Sequence, residues 1–256
     1  MVANIKNFVW VVVVTLGAFS VPMNASANNA LNSMGMIAAP DGENQEETIT
    51  WIDVTMESAG SLGVEVMYKV DKLEEVDYLK VKGTLNAEDW TSLKNMSQLK
   101  GLDLREASFD AVPESEFSGR TTLTVVYLPE GMKTIGNSAF YSTRLTTLEI
   151  PASVTSIGSS AFNQVNTLTE VTFAAGSALA TIGGSAFSQC TALQKFLMPN
   201  TVTSLGSSAF SSCSALSNLS LSSSLTDIPS NCFNSTSSLK NVAFPGAAGI
   251  SCVILS

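Results

Sequence analysis

One phrase recurs about every 23 residues through the second half of this chain. It runs Leu-x-x-Leu-x-Ile-Pro, then a spacer, then Ile-Gly-x-x-Ala-Phe. Its anchors are Leu99, Leu123, Leu145, Leu168, Leu193, Leu216 and Leu239, separated by steps of 22 to 25 residues. A repeat of this length cannot bury its own apolar residues; it buries them only against its neighbours, so the chain is predicted to stack into a solenoid. A solenoid is a scaffold that presents a long surface, so the first question is what it touches.

Each coil is predicted to open with a short strand. In Leu145-Thr146-Thr147-Leu148-Glu149-Ile150, the residues Leu145, Leu148 and Ile150 point inward and those between point out. Pro129, Pro151, Pro199 and Pro245 follow the strands and stop them, because proline has no N–H for the ladder. The spacer brings one inward residue, Met132, Val154, Leu179 or Val202. Ile135, Ile157, Ile182 and Leu205 each precede a glycine (Gly136, Gly158, Gly183, Gly206), which permits a sharp turn, one at positive φ included. A short helical turn follows, pinned by Phe140, Phe162, Phe187, Phe210 and Phe233, which are expected to stack into a buried spine. The pattern has departures. Pro113 and Pro229 replace the glycine, Ala174 stands where proline is usual, and the coil that begins at Leu168 carries a two-residue insertion. The fold class is therefore a mainly β repeat solenoid, a leucine-rich-repeat horseshoe of strand plus short helical turn per coil.

The phrases Ile157-Gly158-Ser159-Ser160-Ala161-Phe162 and Leu205-Gly206-Ser207-Ser208-Ala209-Phe210-Ser211-Ser212-Cys213 resemble the repeats of the BspA-like leucine-rich-repeat surface proteins, of the bacterial secreted type. So does the stretch before them: Gly83-Thr84-Leu85-Asn86-Ala87-Glu88-Asp89-Trp90, then Leu93, Met96 and Leu99-Lys100-Gly101-Leu102-Asp103-Leu104. The resemblance covers residues 76–244. It implies a secreted or surface protein that binds host matrix, host cells or other microbes, and it carries no catalytic motif onto any residue here.

The N-terminus has a single positive charge, Lys6, then an apolar run from Phe8 to Phe19 and the small-x-small site Ala25-Ser26-Ala27. This is the pattern of an export signal ending at residue 27; the run is too short for the roughly 20 residues that span a bilayer. Residues 28–47 are polar and read as a tether. Residues 48–96 read as a β-rich cap with one helix, and 97–256 as the solenoid, about six coils and a partial last one. No second long apolar segment follows, so no membrane insertion is expected after export.

The formal net charge is −9 and unevenly placed. Residues 28–120 hold 18 acidic and 8 basic side chains; residues 121–256 hold 4 of each. That balance argues against nucleic acid, which needs Lys/Arg clusters. The chain has no histidine, which removes Ser-His-Asp and Cys-His catalysis and the commonest zinc sites. No metal and no cofactor are expected. Cys190 and Cys213 follow the repeat Phe by three residues, a slot that also holds Thr143, Val165 and Thr236. A slot open to Val, Thr and Cys is a small packing position, so free buried thiols are expected, with bridging between stacked coils as the alternative.

In the cap, Ile49 and Trp51, then Ile52, Val54 and Met56, alternate like a bulged strand. Leu62, Val64, Val66 and Tyr68 alternate after the turn at Ser58–Ser61 and are predicted as a second strand, with a third over Val76–Val81. Asn86 to Met96 is predicted as a helix, capped by Asn86 with Asp89 at its third position and one stripe of Trp90, Leu93 and Met96.

Outward strand positions form two columns on the concave face. One holds Gly101, Val125, Thr147, Glu170, Lys195, Asn218 and Asn241; the other holds Asp103, Tyr127, Glu149, Thr172, Leu197, Ser220 and Ala243. Tyr127, Glu149, Glu170, Lys195 and Leu197 are the candidate ligand contacts, since tyrosine and apolar side chains among small polar groups suit a protein or glycan ligand. The reading is a non-catalytic interaction or adhesion module. The alternatives are a structural surface component, a binding fragment of a larger surface protein, or a glycoside hydrolase using Glu149 and Glu170 as its carboxylate pair.

Overall fold

The computed structural model of the protein describes residues 49–243. The export signal, the tether and the last segment read above lie outside the described residues. So does Cys252.

Three parallel sheets carry the described chain. The first is built from β1 (Ile52–Thr55), β2 (Tyr78–Thr84), β3 (Gly101–Ser108) and β5 (Val125–Tyr127), side by side in that order. The second continues with β7 (Thr147–Ile150), β9 (Glu170–Phe173), β11 (Lys195–Leu197), β13 (Asn218–Ser220) and β14 (Asn241–Ala243). The third is a ladder of two-residue strands at the Ile-Gly positions: β4 (Ala111–Val112), β6 (Thr134–Ile135), β8 (Ser156–Ile157), β10 (Thr181–Ile182) and β12 (Ser204–Leu205). Successive coils therefore hydrogen-bond along two sides. The short ladder on the second side was not anticipated from the repeat.

The core lies where the repeat places it. Leu99, Leu123, Leu145, Leu168, Leu193 and Leu216 are fully buried, as are Met132, Val154, Leu179 and Val202. The phenylalanines stack with ring centroids 5.2–5.9 Å apart and planes within 17° from Phe117 through Phe140, Phe162, Phe187 and Phe210 to Phe233. That spacing is close to the coil-to-coil distance of parallel strands and gives offset ring stacking. Trp90 meets Phe117 edge-on at 6.3 Å and so continues the spine into the cap.

The repeat glycines do their work differently from the expectation. None of Gly136, Gly158, Gly183 and Gly206 has positive φ; that conformation falls instead on serines, Ser138, Ser160, Ser185 and Ser208, at φ 51–57°. A Cβ on the glycines would lie 2.2–2.8 Å from backbone atoms of the preceding coil. Glycine is needed there for close approach, not for its backbone freedom. The serine turns gain from their conformation a row of N–H groups aimed at the next coil. Ser185, Phe187 and Gln189 donate to the carbonyls of Ser207, Ala209 and Ser211 at 2.9, 2.8 and 2.8 Å. A left-handed residue costs about 1–2 kcal/mol, and each bond returns about 1.

The expected strand over Leu62–Tyr68 is instead a helix, α1 (Leu62–Met67). Its alternating pattern also fits a helix that buries Leu62 and Val66, four apart. The deciding contact is remote in sequence. Asp89, buried at the start of α2 (Ala87–Asn95), accepts hydrogen bonds from the backbone N–H of Gly60 (2.7 Å), Leu62 (2.9 Å) and Asn86 (2.9 Å). One carboxylate thus completes the capping box of α2 and satisfies orphan donors at the start of α1. Behind them, Arg120 from the first coil donates to the carbonyls of Leu93 (2.8 Å) and Met96 (2.6 Å), at the C-terminal end of α2.

Candidate functional site

Outward positions on the strands are the surface that the repeat presents, and register decides which of them meet. Tyr78 stands opposite Gly101, and Gly101 opposite Val125; Lys80 stands opposite Asp103, and Asp103 opposite Tyr127. In the second sheet Thr147 faces Glu170, Glu170 faces Lys195, and Lys195 faces Asn218; Leu197 faces Ser220. The two columns are therefore present, but they break between β5 and β7, which belong to different sheets. Pairing also narrows between β9 and β11 to the single pair Glu170–Lys195. These two places coincide with the shortest and longest steps between anchor leucines, 22 and 25 residues. The odd lengths are taken up outside the strands, since Glu170 and Lys195 pair at equivalent places after Leu168 and Leu193, and full ladders follow both the 24-residue step from Leu99 and the 23-residue steps from Leu145, Leu193 and Leu216.

The first interruption separates the candidate residues into two patches. On the first sheet, Tyr127 is the third ring of an aromatic group. Trp51 lies 5.3 Å from Tyr78 and 6.4 Å from Tyr127 between ring centroids. It spans the gap because Gly101 has no side chain; a Cβ there would come within 2.5 Å of Tyr78 and 3.0 Å of Trp51. The Arg105 guanidinium sits over Tyr127, 4.5 Å from the ring centre. Arg105 is held there by Asp103, with Nε–Oδ1 at 3.0 Å and Nη2–Oδ2 at 2.7 Å. Burial pushes the Asp103 carboxyl up, but hydrogen bonds from the Arg105 side chain and backbone outweigh it, so the group stays below its ordinary value and ionised. Beside it, Glu106 pairs with Lys80 at 2.7 Å and Lys82 at 3.5 Å.

On the second sheet, Glu170, Lys195 and Leu197 line one depression of about 240 Å³ with Phe173, at the place where β9 and β11 part. No ion pair joins Glu170 to Lys195 among the described residues, although they stand opposite each other. Glu149 lies one coil away, opposite Thr172, and outside this depression. Of the residues proposed from the sequence, Tyr127 lies in the aromatic group and Glu170, Lys195 and Leu197 line the depression; Trp51, Tyr78, Arg105 and Phe173, which share these places, were not among them. The signal for the first two was available: Trp51 directly precedes β1 and Tyr78 begins β2, the cap strands that continue the ladder of the first coil.

The thiols belong to the interior. Cys190, Cys213 and Cys232 are free and buried. The Cys190 and Cys213 thiols donate to the carbonyls of Phe162 (3.2 Å) and Phe187 (3.1 Å). Burial pushes Cys213 up to about 12 and Cys232 to about 11. Among the described residues no group of three acidic, cysteine or histidine side chains is placed to hold a metal ion, and no helix is long and apolar enough to cross a membrane.

Stacked coils with a leucine strand on one side and a phenylalanine spine within define a leucine-rich-repeat solenoid. The chain belongs to the BspA type leucine rich repeat family, whose repeat region matches in 6 copies over residues 46–169 and 133–250. Among solved structures it is similar to a leucine rich repeat protein of T. pallidum (22% identity, TM-score 0.41, covering 58% of this chain and 60% of that one). It is also similar to the pneumococcal vaccine antigen PcpA (24%, TM-score 0.40, 67% and 32%) and to a leucine-rich repeat protein of Bacteroides ovatus (18%, TM-score 0.39, 74% and 60%). The chain thus spans between about a third and three-fifths of the length of these proteins. No curated protein matches the chain.

Proposed function

We propose that this is an exported, non-catalytic interaction module that binds a surface ligand of a host or of another microbe through the outward face of its strands. The observation that carries the reading is the group of Trp51, Tyr78, Tyr127 and Arg105. Trp, Tyr and Arg are the side chains that dominate binding hot spots, because they offer large rigid area with a polar edge. Here the three rings are half-buried and Arg105 is exposed but held by Asp103; with the Gly101 gap and a hydrogen-bonded sheet beneath, little ordering is lost on binding. The depression at Glu170, Lys195 and Leu197 is a second, smaller contact zone on the same face.

The test is binding of the purified protein to immobilised extracellular-matrix proteins, host cells and bacteria. Saturable binding that falls at least about tenfold, or about 1.4 kcal/mol, in Tyr127→Ala/Arg105→Ala supports the face as the site. Binding that survives in a folded variant moves the site elsewhere. A hydrolase reading has no support in the geometry, as Glu149 and Glu170 lie on neighbouring strands and only Glu170 lines the depression.

A further inference from the structure

The cap carries an apolar surface that the solenoid does not use. Helix α1 buries Leu62 and Val66 on one side, yet its other side holds Val64 (58% exposed) and Met67 (47%), followed by Tyr68 (80%). These fall at i, i+3 and i+4 and make one stripe. They account for half of the six large apolar side chains exposed in the described residues. Beside the stripe, Gly63 lets α1 approach α2, since a Cβ there would meet the Ser92 hydroxyl at 2.7 Å. Val64, Met67, Tyr68, Leu73 and Ser92 line an open depression of about 430 Å³. A helix apolar on both sides is half of an interface, because an exposed stripe of this kind gains nothing from water.

The charge around the stripe identifies its occupant. Glu57, Glu65, Asp71, Glu74 and Glu75 lie in the segments that frame it, against Lys69 and Lys72, and Lys72 is already paired with Glu75 at 3.7 Å. We propose that the stripe docks a basic amphipathic segment of a partner protein. Such a segment lays its apolar face on Val64, Met67 and Tyr68 and its Lys or Arg residues along the acidic frame. Two other occupants are disfavoured by the same charges. Residues 28–47 carry Asp41, Glu43, Glu46 and Glu47 and no Lys or Arg. A second copy docking stripe to stripe would set one acidic frame against another.

The proposal is independent of the outward strand face. Its probe is a fluorescent Leu/Lys amphipathic helical peptide, read by anisotropy on the full chain, with a Leu/Glu peptide of the same pattern as control. The Leu/Lys peptide is expected to bind and the Leu/Glu peptide not. Val64→Ser/Tyr68→Ser, at exposed positions, should keep the circular dichroism spectrum and lose at least about tenfold in affinity. Glu74→Lys/Glu75→Lys should weaken binding and flatten its salt dependence, while Tyr127→Ala/Arg105→Ala should leave it unchanged. Equal binding by Val64→Ser/Tyr68→Ser overturns the proposal. Failure of Tyr68 to react with a nitrating reagent in the free chain also overturns it, since the stripe would then be covered by the chain itself. So does a concentration-dependent dimer abolished by the same serine variant.

Discussion

The sharpest test of how these coils are packed exchanges one glycine for alanine in two places. Gly119 has φ +74° and nothing within 4 Å of a built Cβ. Gly183 has an ordinary φ, but its Cβ would lie 2.5 Å from the Ser159 nitrogen and 2.6 Å from the Gly158 carbonyl carbon. Backbone conformation alone ranks Gly119→Ala as the worse change; coil packing reverses the order. At Gly119, alanine costs about 1–2 kcal/mol for the left-handed conformation, reduced by about 0.4–1 through the stiffer unfolded chain. At Gly183 the third and fourth coils must part by most of an ångström. That stretches the bonds from Gly183 to Ile157 (2.8 Å) and from Ala180 to Thr155 (2.9 Å) beyond useful length. Two lost bonds at about 1 kcal/mol each, plus about 1–3 for overpacking, come to about 3–5 kcal/mol. Urea unfolding followed by circular dichroism and by tryptophan fluorescence measures both, provided the two probes coincide and m is unchanged. A Gly119→Ala loss equal to or larger than that of Gly183→Ala refutes the close-approach argument.

Phe187→Ala, in the middle of the spine, should cost about 3–5 kcal/mol, and Phe233→Ala less, because Phe233 is only partly buried at the end of the stack; equilibrium unfolding of the two variants checks the order. The thiols of Cys190, Cys213 and Cys232 should be silent to a thiol reagent in the native protein and should all react after denaturation without reductant. Cys213→Thr should cost no more than about 1.5 kcal/mol, since Thr143 occupies the same slot with its hydroxyl bonded to the Phe140 carbonyl. Glu116 is buried with Oε1 unpartnered, and burial holds its carboxyl above the usual 4.5 despite Lys94 at 3.4 Å. A carboxyl raised in the folded state binds its proton more tightly there, so stability should rise as pH falls through the folded value and level off below about 4.5. Asp103, lowered, acts in the other direction, its contribution being lost as pH falls below its unfolded value of about 3.8. Urea midpoints against pH should therefore show the first rise in the parent chain and not in Glu116→Gln, while the loss at acid pH remains in both.

The anchor leucines, the spacer residues and the spine phenylalanines were legible in the chain because a solenoid coil makes the same contacts each time. A residue's place in the 23-residue phrase then states its burial. The two places where the ladder thins fall at the shortest and longest steps between anchor leucines, 22 and 25 residues. Tertiary structure alone decided what depends on partners far apart in sequence. Leu62–Met67 became a helix because Asp89, 27 residues from Leu62, caps it. The repeat glycines were required by the backbone of the coil before, a contact that no local pattern records. The grouping of Trp51, Tyr78, Tyr127 and Arg105 arose because strands separated by a whole coil lie side by side, so that residues remote in the chain share one face.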